Sequence, residues 1–337
     1  MFGPTDQVTW RVWCEHLPLG ELQGPRVLEL LGSHAMSPVL AVRPDTDFGE
    51  LVGALRAVRE AGLATGVWPL MGLDEGYWPS ERNVEAWFAR TFEILDELER
   101  FGVVPDWIAV DLEPPYGQAS RLLRRTLAVP FAAAELAAEN MDLARFFASR
   151  QVFVEGVTAL QRRGLRVLGV TAALAAHDLR DDIPLWQDMF ETPWSGVPWD
   201  AAGIMAYGSI VAGASRGVFS HADARALHQP LLDHLARRFE RRAHVSLGVT
   251  GVGVFGDEPS YTEPTELNRD VAAALQSGIT DIAVFCLEGI LARPDPETWL
   301  HAITSARASP PPRTWKSVVA RRSGAVIRTA ARAFFGR

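Results

Sequence analysis

Cysteine is nearly absent: the 337 residues include only Cys14 and Cys286. Two cannot make a disulfide framework, so the chain reads as a cytoplasmic protein kept reduced. Long apolar runs are missing as well, and none approaches the roughly 18 residues that span a bilayer. The opening stretch MFGPTDQVTWRVWCEHLP has no basic region followed by an apolar core, so no signal peptide is expected. No G-x-G-x-x-G and no phosphate-binding loop occurs, which sets aside the common dinucleotide-binding sheets. There is no internal repeat and no long low-complexity tract. Positive charge is in deficit: the formal net charge is −8, which argues against nucleic acid as a partner. None of these features calls for a cofactor, and none is expected.

What is present is a soluble globular composition, 48% apolar and 22% charged. Eight short apolar runs alternate with amphipathic stretches. The runs cover residues 8–17, 38–44, 64–71, 107–115, 165–174, 201–209, 244–256 and 281–290. Most are rich in Val, Ile, Leu and Ala without strict alternation, the pattern of parallel strands buried on both faces. Stretches such as DFGELVGALRAVREAG (47–62) and VEAWFARTFEILDELERFG (84–102) carry helical periodicity and end in glycine. Eight such units predict an α/β fold, a (β/α)₈ TIM barrel over residues 1–303. Long loops are expected after strand 4, with an extra helix around PFAAAELAAEN, and after strand 5. Residues 304–337 hold prolines and then Lys and Arg without Asp or Glu. They read as a Pro-rich linker and a basic amphipathic helix from Trp315 to Arg337. That helix either docks on the acidic barrel or makes peripheral contact with an anionic membrane.

The chemistry centres on WIAVDLEPPYG, residues 107–117, where an apolar strand ends in two carboxylates and two prolines. Asp111 and Glu113 share parity, so both should point into the barrel at its C-terminal mouth. Two such neighbours repel, which raises the pKa of one and leaves the other ionised, the arrangement for a general acid beside an anionic helper. Solvated loop carboxylates with arginine partners are the plain alternative. Other strand ends add candidates: Met205 and Tyr207 on strand 6, Glu15 and His16 on strand 1, Glu288 on strand 8. Tyr207 could instead be a core tyrosine, and Glu15 and Glu288 could form a structural ion pair with Arg43. Trp68, Trp78, Trp186, Trp194 and Trp199 lie at or beyond strand ends. Aromatic rings stack on the apolar C–H faces of sugars, so these suggest a saccharide groove.

Strand 4 resembles glycoside hydrolase family 18, the chitinase family, whose signature there is D-G-x-D-x-D-x-E. Over that pattern lies DWIAVDLE, Asp106 to Glu113. Asp106 takes the first Asp position, Asp111 the last Asp and Glu113 the acid. Trp107 stands at the family's glycine and Ala109 at its middle Asp. The family's Met-x-Tyr on strand 6 is matched by Met205 and Tyr207, followed by Gly208 where Asp or Asn is usual. The strand 8 tryptophan has no counterpart in VFCLEG.

The resemblance implies a retaining, substrate-assisted hydrolase acting on an N-acetylglucosamine-containing saccharide. Glu113 would be the general acid. Asp111 would orient the 2-acetamido group and Tyr207 would hold its carbonyl oxygen. Glu15, Trp68, Trp78, Met205, Glu288, Trp186 and Trp194 would contact substrate. Strand 7 has no carboxylate of its own, and Asp257 and Glu258 follow only later, which suits substrate assistance. Ala109 implies that Asp111 stays more firmly anionic. Two other classes remain open. Glu15, Asp111, Glu113 and Glu288 could converge on a divalent cation as in barrel phosphodiesterases, although only His16 lies near a strand end. An inactive chitinase-like carbohydrate-binding protein is the other.

Overall fold

The computed structural model describes residues 8–124, 129–180 and 183–319. The chain alternates strand and helix throughout. Strand β1 (Thr9–Cys14) is followed by α1 (Leu19–Leu22) and α2 (Pro25–Ser33), β2 (Met36–Val42) by α3 (Phe48–Glu60), and β3 (Gly66–Pro69) by α4 (Val84–Arg100). Strand β4 (Trp107–Leu112) leads to α5 (Tyr116–Arg124), α6 (Val129–Asn140) and α7 (Leu143–Arg162), and β5 (Arg166–Ala172) to α8 (Leu185–Met189). Strand β6 (Ala201–Ala206) precedes α9 (Gly208–Ala214) and α10 (His221–Phe239), and β7 (Ala243–Gly248) precedes α11 (Pro264–Gln276). Strand β8 (Asp281–Phe285) precedes α12 (Leu287–Leu291) and α13 (Pro296–Thr304). The eight strands pair in sequence order, all parallel, and β8 closes on β1. This is a (β/α)₈ TIM barrel. Six of the eight apolar runs contain a whole strand, and the other two, 38–44 and 244–256, hold all but the first one or two residues of β2 and β7. The loop after β4 carries two extra helices, α5 and α6, where one was expected.

Strand parity divides the core into two shells. Val12, Val42, Ile108, Val110, Val245 and Val284 face outward into the layer beneath the helices. Trp13, Val39, Trp68, Ala109, Val170 and Ala283 face inward and fill the barrel. Gly169 faces outward, and a Cβ there would lie 2.3 Å from the Trp199 ring. The glycine therefore lets that indole seat directly on β5.

The lower interior is polar and fully matched. Arg11 donates two hydrogen bonds to Asp281, at 2.8 and 2.9 Å, and stacks over Trp107. His244 bridges Asp281 (2.9 Å) to Ser246 (3.2 Å), whose hydroxyl also accepts from the Trp13 indole at 3.1 Å. Arg11 and His244 hold the Asp281 carboxyl well below the usual range against the cost of burying it. This plug closes the barrel floor and leaves the C-terminal mouth as the place for chemistry.

The loops at the mouth are tied together by ionic contacts. Arg82, before α4, donates to Glu191, beyond α8, at 2.7 Å and to Asn140 of α6 at 3.2 Å. Arg145 of α7 bonds Glu81 at 2.8 Å and Glu191 at 3.1 Å. Glu81 and Glu191 are both buried. The loops after β3, β4 and β5 thus share one network.

Beyond α13 the chain lies back on the barrel. The Ser309 N–H donates to the Ala272 carbonyl at 3.1 Å, and Lys316 Nζ donates to the Val218 carbonyl at 2.7 Å. Of the expected tail helix, Trp315 and Val319 are exposed, and residues 320–337 lie outside the described residues. Among the described residues no helix is long and apolar enough to cross a membrane.

Candidate active site

Asp111 is the fifth residue of β4 and Glu113 the first beyond it, where Pro114 and Pro115 end the strand by removing backbone donors. Asp111 is 5% exposed, and its Oδ1 has no hydrogen-bond partner. Glu113 is half-buried at the mouth. Burial pushes both carboxyls up, Asp111 further through Glu15, and Glu113 further through Asp111, Glu15 and Glu258. The expectation was that Asp111 would stay more firmly anionic; burial and Glu15 push its carboxyl in the opposite direction. Ala109 is fully buried among Trp13, Trp68 and Val170. It leaves an apolar layer below Asp111, so desolvation outweighs the loss of an acidic neighbour.

Glu15, just past β1, is 4% exposed and accepts from the Tyr77 hydroxyl at 2.6 Å. Burial raises its pKa to about 7; the Tyr77 bond opposes that rise, Glu288 and Glu258 add to it, and Arg43 opposes it. Tyr77 itself adopts a left-handed backbone, φ 68°. Such a conformation is costly for a non-glycine residue, and here it accompanies a hydroxyl aimed at a mouth carboxylate.

Tyr207 follows β6, half-buried, with its ring 6.0 Å from that of Phe285. Burial, then Asp111, Glu113 and Glu15, push its phenol up, so it keeps its proton and can donate. Met205 packs inside the barrel beneath it. The next position has a reason to be glycine. A Cβ at Gly208 would lie 2.5 Å from the Tyr261 hydroxyl and 2.8 Å from Asp270 Oδ2, so the usual Asp or Asn has no room.

Glu288 is placed differently from the other acids. Its Oε1 accepts the backbone N–H groups of Glu15 (3.1 Å) and His16 (2.9 Å). It fixes the turn after β1 and supports Glu15. The alternative of an ion pair with Arg43 takes another form: Arg43 Nη1 donates to the Glu15 carbonyl oxygen. Asp106 sits at the foot of β4, where Oδ2 accepts from the Thr65 N–H and hydroxyl at 2.8 and 2.9 Å.

The five-tryptophan rim is corrected. Trp194 and Trp199 are fully buried outside the barrel; Trp194 donates to the Gly169 carbonyl at 3.0 Å, and Trp199 donates to the Trp194 carbonyl at 2.8 Å. Trp68 lies inside the barrel, edge-on to Trp13 at 5.0 Å. Trp186 packs with Phe190 in a satellite cluster over β5. Trp78 alone reaches the aromatic wall of the mouth. There it meets Tyr116 from the β4 loop and Phe255 from the β7 loop, which stack on each other at 5.4 Å with 10° between planes.

Three groups went unread in the sequence, Tyr77, Tyr116 and Phe255, and Glu258 was set aside as lying too far beyond strand 7. Glu258 arrives from the loop after β7. Its Oε1 accepts the Phe255 N–H at 3.0 Å and its Oε2 is buried without a partner. A Cβ on Gly253 would lie 2.9 Å from Glu15 Oε2 and 3.0 Å from Glu258 Oε1, which places the two carboxylates beside one another. The absence of an acid on strand 7 therefore does not leave that side of the mouth without one. Among the described residues no three His, Cys, Asp or Glu side chains form a group suited to a metal ion.

No family model and no curated protein sequence matches the chain. Solved structures do match in fold. The glycoside hydrolase domain of PgaB (BpsB) from Bordetella bronchiseptica superposes with a TM-score of 0.50 at 13% identity, covering 88% of this chain and 99% of that one. The β-glycosidase BGL167 gives 0.52 at 17% identity, covering 93% and 100%. The catalytic domain of a family GH18 chitinase from the fern Peteris ryukyuensis gives 0.50 at 12% identity, covering 89% and 99%. The fold of this chain is the TIM barrel that these glycoside hydrolases share.

Proposed function

We propose that the protein is a retaining glycoside hydrolase of 2-acetamido saccharides, with Glu113 as general acid. The observation that carries this reading is the inward pair Asp111 and Glu113 at the C-terminal mouth, with Glu113 pushed up by burial and by three neighbouring carboxylates. A carboxyl pushed up in this way holds its proton more firmly than a solvated one and can give it to a leaving oxygen.

The proposed step moves that proton from Glu113 to the glycosidic oxygen as the C–O bond breaks. The carbonyl oxygen of the sugar's own acetamido group forms the new bond to the anomeric carbon. Asp111 takes up the developing positive charge on the amide nitrogen, and the Tyr207 hydroxyl donates to the amide oxygen. Water then attacks the anomeric carbon, returns a proton to Glu113 and restores the acetamido group. Trp78, Tyr116 and Phe255 supply the apolar wall for sugar faces.

Glu258 favours a second reading, in which a protein carboxylate attacks the anomeric carbon instead. The two differ in their need for the acetamido group. A divalent-cation reading has less support, because among the described residues no three His, Cys, Asp or Glu side chains form a group suited to a metal ion.

The test is hydrolysis of an aryl N-acetyl-chito-oligosaccharide and of the matching glycoside that lacks the acetamido group. Glu113→Gln should lower turnover about 10²- to 10⁴-fold with the fold unchanged by circular dichroism. Near wild-type turnover would remove the role of Glu113. Equal cleavage of both substrates would replace substrate assistance with attack by Glu258. Binding without cleavage by the unaltered chain would leave a carbohydrate-binding protein.

A further inference from the structure

Beyond α13 the chain climbs the outside of the barrel to its mouth end. It passes α11, where the Ser309 N–H donates to the Ala272 carbonyl at 3.1 Å, and meets the start of α10. There Lys316 Nζ donates to the Val218 carbonyl at 2.7 Å and stands 4.0 Å from Asp223 Oδ2. Asp223 is the third residue of α10, the helix that runs back from β6. Its first turn therefore lies at the C-terminal end of the strands. Residues 315–319 are helical, and Ser317 is buried against the barrel.

That contact leaves an apolar patch uncovered. Trp315 is 73% exposed, Val218 59% and Val319 54%, the three most exposed large apolar side chains among the described residues. Trp315 and Val319 are four apart, so they share one side of their helical turn. Exposed apolar residues scattered singly are ordinary. These three instead meet at one seam, which Lys316 ties to Val218 across 98 positions of sequence. The border of the patch is cationic. Arg216 and Arg313 are exposed, each two residues before a member of the patch, and Lys316 follows Trp315 directly.

The sequence continues in the same character. Residues 305–337 hold eight Lys and Arg and no Asp or Glu, in a chain whose net charge is −8. Residues 320–337 follow directly from Val319 and supply five of those cations, together with Val326, Ile327, Phe334 and Phe335. Apolar side chains that include a tryptophan, bordered by cations, match the boundary between anionic headgroups and acyl chains. A nucleic acid would engage the cations and leave the two valines in water.

We propose that the Val218–Trp315–Val319 patch, with the basic tail that leaves from it, docks the protein on an anionic lipid surface. The contact lies in the interface and does not cross it. Because the patch stands at the mouth end beside β6, docking holds the mouth close to the bilayer. The proposal is independent of which bond the site cleaves.

The test is sedimentation of the full chain with vesicles of phosphatidylcholine alone and of phosphatidylcholine mixed with phosphatidylglycerol. Binding is expected to the mixed vesicles and not to the neutral ones, with release as ionic strength rises. Trp315→Ala combined with Val319→Ala should weaken binding to mixed vesicles about tenfold, and Val218→Ser about threefold. All three side chains are exposed, so circular dichroism should not change. Val218→Ser is the sharper variant, because it alters the barrel and leaves the whole tail intact. Absence of binding to mixed vesicles would overturn the proposal. Undiminished binding by either variant would also overturn it, since the arginines alone would then make the contact. Sedimentation without vesicles would make a second copy of the chain the occupant and exclude the lipid surface from that role.

Discussion

At the scale of single residues, one buried acid links the site to stability. Glu15 titrates near 4.5 in an open chain, and burial within the mouth raises it to about 7 in the fold. Between those values the folded state holds a proton that the unfolded chain has released. The folded state therefore binds more protons, and stability falls as pH rises through that window. The contribution reaches up to about 3 kcal/mol by pH 7 and changes little above it. Glu15→Gln keeps an acceptor for Tyr77 and removes the titration. Its denaturant midpoint should stay flatter than that of the unaltered chain from pH 4.5 to 7. Parallel curves would place the proton elsewhere. Asp111 and Glu113 were legible in the sequence because a period of two fixes both on one face of β4. Glu15 was legible as a strand-end acid, but its partner was not. Tyr77 reaches it from the loop after β3 through a backbone conformation that no sequence pattern announces.

At the scale of elements, strands were readable and loops were not. Each strand is a short apolar run buried on both faces, and that burial is written into its composition. The loops owe their course to contacts distant in sequence. Glu191 meets Arg82 across 109 positions, and Asn140 bonds the Met189 carbonyl across 49. Glu258 follows β7 by ten residues, yet the loop folds back and sets it beside Glu15. The tryptophans misled for the same reason, since position beyond a strand end does not decide which shell a ring enters. Trp199 is drawn under the helices because Gly169 leaves it space on β5. Gly169→Ala should therefore destabilise the barrel by about 1–3 kcal/mol, because the new methyl meets a ring that has nowhere to retreat. Thermal unfolding measures this, and an unchanged midpoint would mean that the indole can shift at little cost.

At the scale of the whole molecule, charge is arranged along the barrel axis. The floor is a closed set of matched polar groups, the Arg11–Asp281 ion pair with His244 beside it, capped by Trp13 and Trp68. Above that apolar layer stand Asp111, Glu113 and Glu15, raised by burial and by neighbouring carboxylates, with Glu258 beside them and aromatic rings at one side. One end of the barrel is thus inert and the other holds protons available for transfer. The central claim is that Glu113 delivers one of those protons to a glycosidic oxygen. A crystal structure of Glu113→Gln with a bound N-acetyl-chito-oligosaccharide tests it most directly. The account predicts the side chain at position 113 within hydrogen-bond reach, about 3 Å, of the oxygen between two sugar rings, with an acetamido group on Asp111 and Tyr207. An oligosaccharide bound at the mouth with position 113 facing only ring hydroxyls, or bound away from the mouth, would contradict it.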